Sequence, residues 1–194
     1  MDWHNEPPMW TVDGRMITVK SGPKTDFWRT THYGFIRDNG HFYHDRIAGN
    51  FLVEVKVSGA YAALYDQAGL MVRVDEANWI KCGIEFVDGV QQVSAVVTRE
   101  YSDWSVAPLP SNPAALWLRL TRRGSAIEIR YALDGVQYQM LRLAYFIPSE
   151  TMSVGLMCAS PDGAGFTVTL RDSLFRVYKC ICSFVTRTAP PPFL

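Results

Sequence analysis

The stretch DEANWIKCGIEFVDG, residues 75–89, carries the residue types that could do chemistry. Read with a period of two, Trp79, Lys81, Gly83 and Glu85 share one face of an extended segment, and Ile80, Cys82, Ile84 and Phe86 share the other. The second face is core. The first offers an indole for stacking, an ammonium as donor, a bare backbone and a carboxylate as acceptor, the set that reads a polar ligand. At ~3.3 Å per residue, Trp79 and Lys81 stand about 7 Å apart and Lys81 and Glu85 about 13 Å apart, so any acid–base partner comes from an adjacent strand.

YDQAGLMVRV, just upstream, is the expected neighbour, with Gln67, Gly69, Met71 and Arg73 alternating against Ala68, Leu70, Val72 and Val74. QQVSAVVT follows the Asp88-Gly89 turn, and LWLRL adds Trp117 and Arg119. The expected binding floor is therefore Gln67, Gly69, Trp79, Lys81, Glu85, Trp104, Trp117 and Arg119, with Gly69 and Gly83 leaving room for close approach. Glycoside hydrolysis needs two carboxyls at about 5–5.5 Å or 6.5–9.5 Å. No alternating carboxylate run supplies them, and cross-strand pairing of Glu85 with Asp103 or Glu128 is the remaining route. No catalytic residue is assigned.

The elements that must position these groups are strands. Asp13-Gly14, Asn39-Gly40, Asp88-Gly89, Asp134-Gly135 and Asp162-Gly163 are pairs suited to tight turns, and short β-rich alternating runs lie between them. No capped 3.6-residue periodicity is sustained, so the fold class is all-β, a sandwich of two antiparallel sheets with few short helices. SVAPLPSNPAAL, 105–116, reads as a long loop because of its prolines, with Tyr101 and Trp104 at a strand end. Residues 1–178 form one domain, and 179–194 a proline-rich extension, read as a subunit contact or a mobile tail.

Nineteen Lys plus Arg balance nineteen Asp plus Glu without a basic cluster, which argues against nucleic acid and anionic membranes as partners. MDWHNEPPMW has neither the basic nor the apolar region of a secretion signal, so the expected location is cytoplasmic. Cys82, Cys158, Cys180 and Cys182 are then expected as free thiols. His41 and His44 are three apart, which on a strand sends them to opposite faces. With His4 and His32 they are expected at the surface or in loops, and no metal or cofactor is assigned.

KTDFWRTTHYGFIRDNGHFY, YDQAGLMVRVDEANWIKCGIEF, VSAVVTREYSDWS and LWLRLTRRGSAIEIRYALDG, taken in order, resemble the concanavalin A-like β-sandwich family of unknown function that includes the regulation-of-enolase protein. The resemblance spans about residues 8–178. It implies a lectin-like jelly roll whose concave face is the usual ligand surface, and supplies no reaction. The expected function is non-catalytic binding of a small polar ligand, a carbohydrate or sugar derivative, on that face. The alternatives are a protein-interaction or regulatory module contacting a metabolic enzyme and a weak glycoside hydrolase or lyase; the macromolecular partners left open are a second copy of the chain, as a homo-oligomer, or that enzyme.

Overall fold

The computed structural model describes residues 1–178, and of residues 172–178 the backbone alone. The extension 179–194, with Cys180 and Cys182, lies outside the described residues. In chain order the strands are β1 Asp2–His4, β2 Met9–Asp13, β3 Met16–Lys20, β4 Phe27–Arg29, β5 Ile36–Asp38, β6 His41–Ala48, β7 Asn50–Gly59 and β8 Gln67–Arg73. They continue with β9 Asn78–Val87, β10 Val90–Arg99, β11 Tyr101–Pro108, β12 Leu116–Arg123, β13 Ala126–Ala132, β14 Gln139–Tyr145, β15 Thr151–Ala159 and β16 Thr167–Tyr178. No helix occurs among the described residues.

Two seven-stranded antiparallel sheets form the sandwich, one ordered β1-β6-β15-β8-β9-β10-β11 and the other β14-β13-β12-β7-β16-β3-β2. Their facing sides interdigitate as one apolar cluster, Leu70, Val72, Ile80, Cys82 and Ile84 from the first sheet against Val53, Val55, Leu118, Leu120 and Ile129 from the second. Alternation along each strand makes this possible, because every second residue is apolar and points inward.

Asp88 and Gly89 both take positive φ, 51° and 80°, the conformation of a two-residue hairpin turn whose twist matches the strands it joins, here β9 and β10. Asp13-Gly14 and Asp134-Gly135 likewise lie between paired strands. Asn39-Gly40 and Asp162-Gly163 instead carry the chain from one sheet to another.

Three sequence expectations are corrected. The proline-rich segment is strand as far as Pro108, so Trp104 lies within β11 and the loop begins at Leu109. Pro108 is tolerated because β11 is an edge strand at the end of its ladder. His41 is buried, not at the surface: the Gly22 N–H donates to its Nε2 at 2.8 Å, which leaves Nδ1 to donate to the Asn5 carbonyl at 2.7 Å. Burial holds this neutral imidazole below the usual histidine range. Finally, the far side of the first sheet, expected as a binding floor from Trp79 onward, is covered over part of its length.

Its cover is the hairpin β4–β5, a two-stranded sheet of its own. Phe27 and Trp28 press down on Phe42, Met71, Trp79, Val96 and Met157 to make a second, smaller apolar cluster. Arg73 from β8 grips Asp38 with two hydrogen bonds of 2.5 and 2.8 Å, and the backbone N–H of Arg29 donates to Ser102 Oγ at 2.9 Å. A bidentate pair with little exposure fixes orientation as well as energy. Cys82 and Cys158 are free and buried, and burial pushes both thiols up to about 12.

Candidate functional site

β9 runs out from under the hairpin, and its polar-face residues change role along the way. Trp79 is fully buried, its ring 6.2 Å from that of Phe27, and serves as packing. Lys81 comes next, at the hairpin's margin. Its Nζ donates to the Phe27 carbonyl at 2.7 Å, meets Asp26 Oδ1 at 3.4 Å and lies 5.6 Å from the Trp79 ring centre. Glu85 lies beyond the hairpin, in register with Gln67 of β8.

These residues floor a cavity of about 210 Å³. Its lining comprises Asp26, Gln67, Lys81 and Glu85 below, with Trp28, Tyr33, Phe35, Tyr65 and Trp104 as aromatic walls, and Arg37, Pro161 and Asp162 completing it. Tyr33 and Tyr65 meet through their hydroxyls at 3.0 Å, and this bond is the main reason the Tyr65 phenol is pushed up to about 12.

Glu85 is nearly enclosed. Its Oε2 accepts from Ser94 Oγ at 2.7 Å and from Trp104 Nε1 at 2.8 Å. Desolvation raises its pKa above the ordinary carboxylate value, against the opposing pull of Lys81, Ser94 and Trp104. A carboxyl raised in the native state takes up a proton before its unfolded counterpart does. Its contribution to stability is therefore full below the unfolded value and falls away as pH rises through the native one. Glu85→Gln should accordingly raise the melting temperature at pH 7. The gain should disappear below about pH 4, where glutamate is protonated in both states. Melting curves of parent and variant at the two pH values test this.

Of the eight residues expected at the site, Gln67, Lys81, Glu85 and Trp104 line the cavity. Trp79 lies under the hairpin. Gly69 and Gly83 sit opposite one another in the β8–β9 ladder, where each would drive a Cβ into the other strand's backbone, so the missing side chains serve the spacing of the two strands. Trp117 and Arg119 belong to the other sheet. On β12 they alternate with the core leucines and face outward, Trp117 beneath the Lys56 ammonium and Arg119 paired with Glu54 at 2.6 Å. Strand alternation resolves two faces but not which sheet a strand joins.

The carboxyl pairs considered from sequence are also displaced. Glu128 is bonded to Arg130 on the second sheet, and Asp103 is outside the cavity. The second carboxyl near Glu85 is Asp26, delivered by the hairpin. Sequence reasoning missed Asp26, Trp28, Tyr33, Phe35, Arg37, Tyr65, Pro161 and Asp162. The available signal was four aromatics, Phe27, Trp28, Tyr33 and Phe35, crowded into nine residues around the turn at Gly34.

Residues 3–177 match the model of the family described as Protein of unknown function (DUF1349). The chain belongs to this family. Regulation of enolase protein 1 of Saccharomyces cerevisiae is 40% identical over 170 residues, 88% of this chain and 86% of the relative. A crystal structure of a functionally unknown protein from Saccharomyces cerevisiae superposes with a TM-score of 0.88 at 38% identity, covering 92% of this chain and 97% of that one.

More distant structures share the sandwich. A mutant of the GH43 protein BlXynB from Bacillus licheniformis matches with a TM-score of 0.67 at 14% identity, over 91% of this chain and 37% of that one. The carbohydrate binding module CBM66 from Bacillus subtilis matches with a TM-score of 0.59 at 12% identity, over 90% of this chain and 95% of that one. At these identities the likeness is one of fold.

Proposed function

We propose that this DUF1349 chain is a cytoplasmic, non-catalytic binding protein whose cavity takes a small polar ligand of the carbohydrate class. The observation that carries the reading is at Gln67, a residue of the cavity lining whose Oε1 is buried and has no hydrogen-bond partner. A buried acceptor without a donor costs about 1–3 kcal/mol, so its retention at the bottom of an aromatic-walled cavity suits a ligand that brings the donor. Aromatic rings beside a few convergent polar groups are also the composition of a sugar site. At about 210 Å³ the cavity is smaller than the ~300 Å³ at which drug-sized sites begin, which suits a single ring.

A second reading, contact with a metabolic enzyme, draws on the name of the yeast relative and on Met140, Leu143 and Tyr145, exposed along the edge strand β14. One experiment separates the two: thermal shift and calorimetry of the full chain with a monosaccharide panel and, in parallel, with purified enolase. Heat and a raised melting temperature with a sugar are expected. Trp104→Ala and Gln67→Ala should each weaken that binding about tenfold, the equivalent of ~1.4 kcal/mol. Response to enolase alone would replace the sugar reading with the second one.

A further inference from the structure

Resting on that reading, the hydrogen-bond inventory of the cavity floor narrows the ligand further. The orientation of the Gln67 amide is decided by chemistry. Its Nε2 lies 3.4 Å from Asp26 Oδ1 and 3.2 Å from the Tyr65 carbonyl, both acceptors, so turning the amide over would set oxygen against oxygen twice. The oxygen therefore has to be the atom left over, and it is.

Glu85 is asymmetric in the same way. Both of its hydrogen bonds fall on Oε2, which leaves Oε1 to the cavity that the residue lines. The donors nearby are meanwhile committed inside the protein. The Lys81 ammonium is held by the Phe27 carbonyl, Asp26 and the Trp79 ring, and the Trp104 indole N–H is held by Glu85 and Ser94. Asp26 Oδ1 receives the Phe27 N–H, Gln67 Nε2 and Lys81 Nζ. The floor thus has acceptors to offer and its cations are spent. Arg37 is the remaining cation of the lining, but it is exposed and its guanidinium lies over the Phe35 ring, at the wall.

We propose that the cavity accepts one uncharged, polyhydroxylated ring whose hydroxyls donate to Gln67 Oε1 and Glu85 Oε1, and that it rejects the acid and phosphate forms of the same sugar. An anionic group at the floor would face two carboxylates and an amide oxygen, with the Lys81 ammonium already turned to the Phe27 carbonyl and Asp26, and such like-charge contacts are strongly unfavourable. Hydroxyl groups, by contrast, satisfy the leftover acceptors while the ring faces stack on the aromatic walls.

The test is calorimetric titration of the full chain at pH 7.5 with neutral hexoses and pentoses, followed by the uronic acid, phosphate and amine of each. The tightest neutral sugar should bind at least tenfold more tightly than its uronic acid and its phosphate. In Glu85→Gln the side-chain oxygen can keep Ser94 and Trp104 while an NH2 donor turns to the cavity, so the preference for the neutral sugar over the acid should shrink several-fold. Equal or tighter binding of the acid or the phosphate overturns the inference while leaving a sugar site. An amine more than tenfold tighter than its neutral parent overturns it as well, and so does an unchanged ratio in Glu85→Gln. Binding by no member of any class removes the sugar reading itself.

Discussion

Trp79→Ala should destabilise the protein by about 3–5 kcal/mol, the range for truncating a fully buried aromatic, and lower the melting temperature by roughly 10 °C or more. The size of the effect follows from where the indole sits. It has no solvent exposure, and it is the largest fully buried side chain in the cluster through which the β4–β5 hairpin rests on the first sheet. Removing it opens a hole under Phe27 and Met71 and takes away the ring beside the Lys81 ammonium. The hairpin should loosen before the sandwich melts, because the two large sheets share a separate core. Denaturant unfolding measures the first effect. Limited proteolysis within residues 30–35, faster in the variant under native conditions, measures the second. A loss of only a few tenths of a kcal/mol would show that the hairpin is not seated on this ring, and would return Trp79 to the role of an exposed stacking platform.

That residue also marks how far the sequence is legible. Alternation along 78–87 correctly divides core from non-core, and the short link between Arg73 and Asn78 makes β8 and β9 neighbours, so the pairing of Gln67 with Glu85 could be anticipated. Whether the other face meets water, ligand or more protein depends on Phe27 and Trp28, some fifty residues away in sequence. Nothing local to β9 reports on them. The same gap misassigns Trp117 and Arg119, whose alternation against leucines matches that of β9 although β12 pairs with β7 and β13 in the opposite sheet. The cavity escaped for a related reason. Its walls come from the hairpin, from the segment before β8 and from the turn at Pro161-Asp162, and only the folded sheet order brings these together.

Gly83→Ala should be the other severe substitution, although it adds only one methyl. A Cβ at this position would stand 2.0 Å from the Ala68 carbonyl oxygen and 2.9 Å from the Gly69 Cα, both backbone atoms of the adjacent central strand. A flexible side chain can swing away from such a clash, whereas a ladder strand held on both sides cannot. Gly69 and Gly155 are in the same position, each with a neighbouring strand's carbonyl oxygen 2.0 Å from the site of a Cβ, so the middle of the first sheet depends on three glycines in three adjoining strands, β9, β8 and β15. Overpacking in a well-packed interior costs about 1–3 kcal/mol, and here part of the strain goes into the ladder itself. Because Gly83 lies between Lys81 and Glu85, moving β9 also shifts the cavity floor. The variant should therefore melt several degrees lower and lose ligand affinity together. Gly14→Ala, at a turn with nothing within 4 Å of the new Cβ but with φ at +56°, should cost only the smaller backbone strain and leave affinity unchanged. If Gly83→Ala melts like the parent, the strands are free to part at their centre, and the glycines there serve the ligand's approach as the sequence alone suggested.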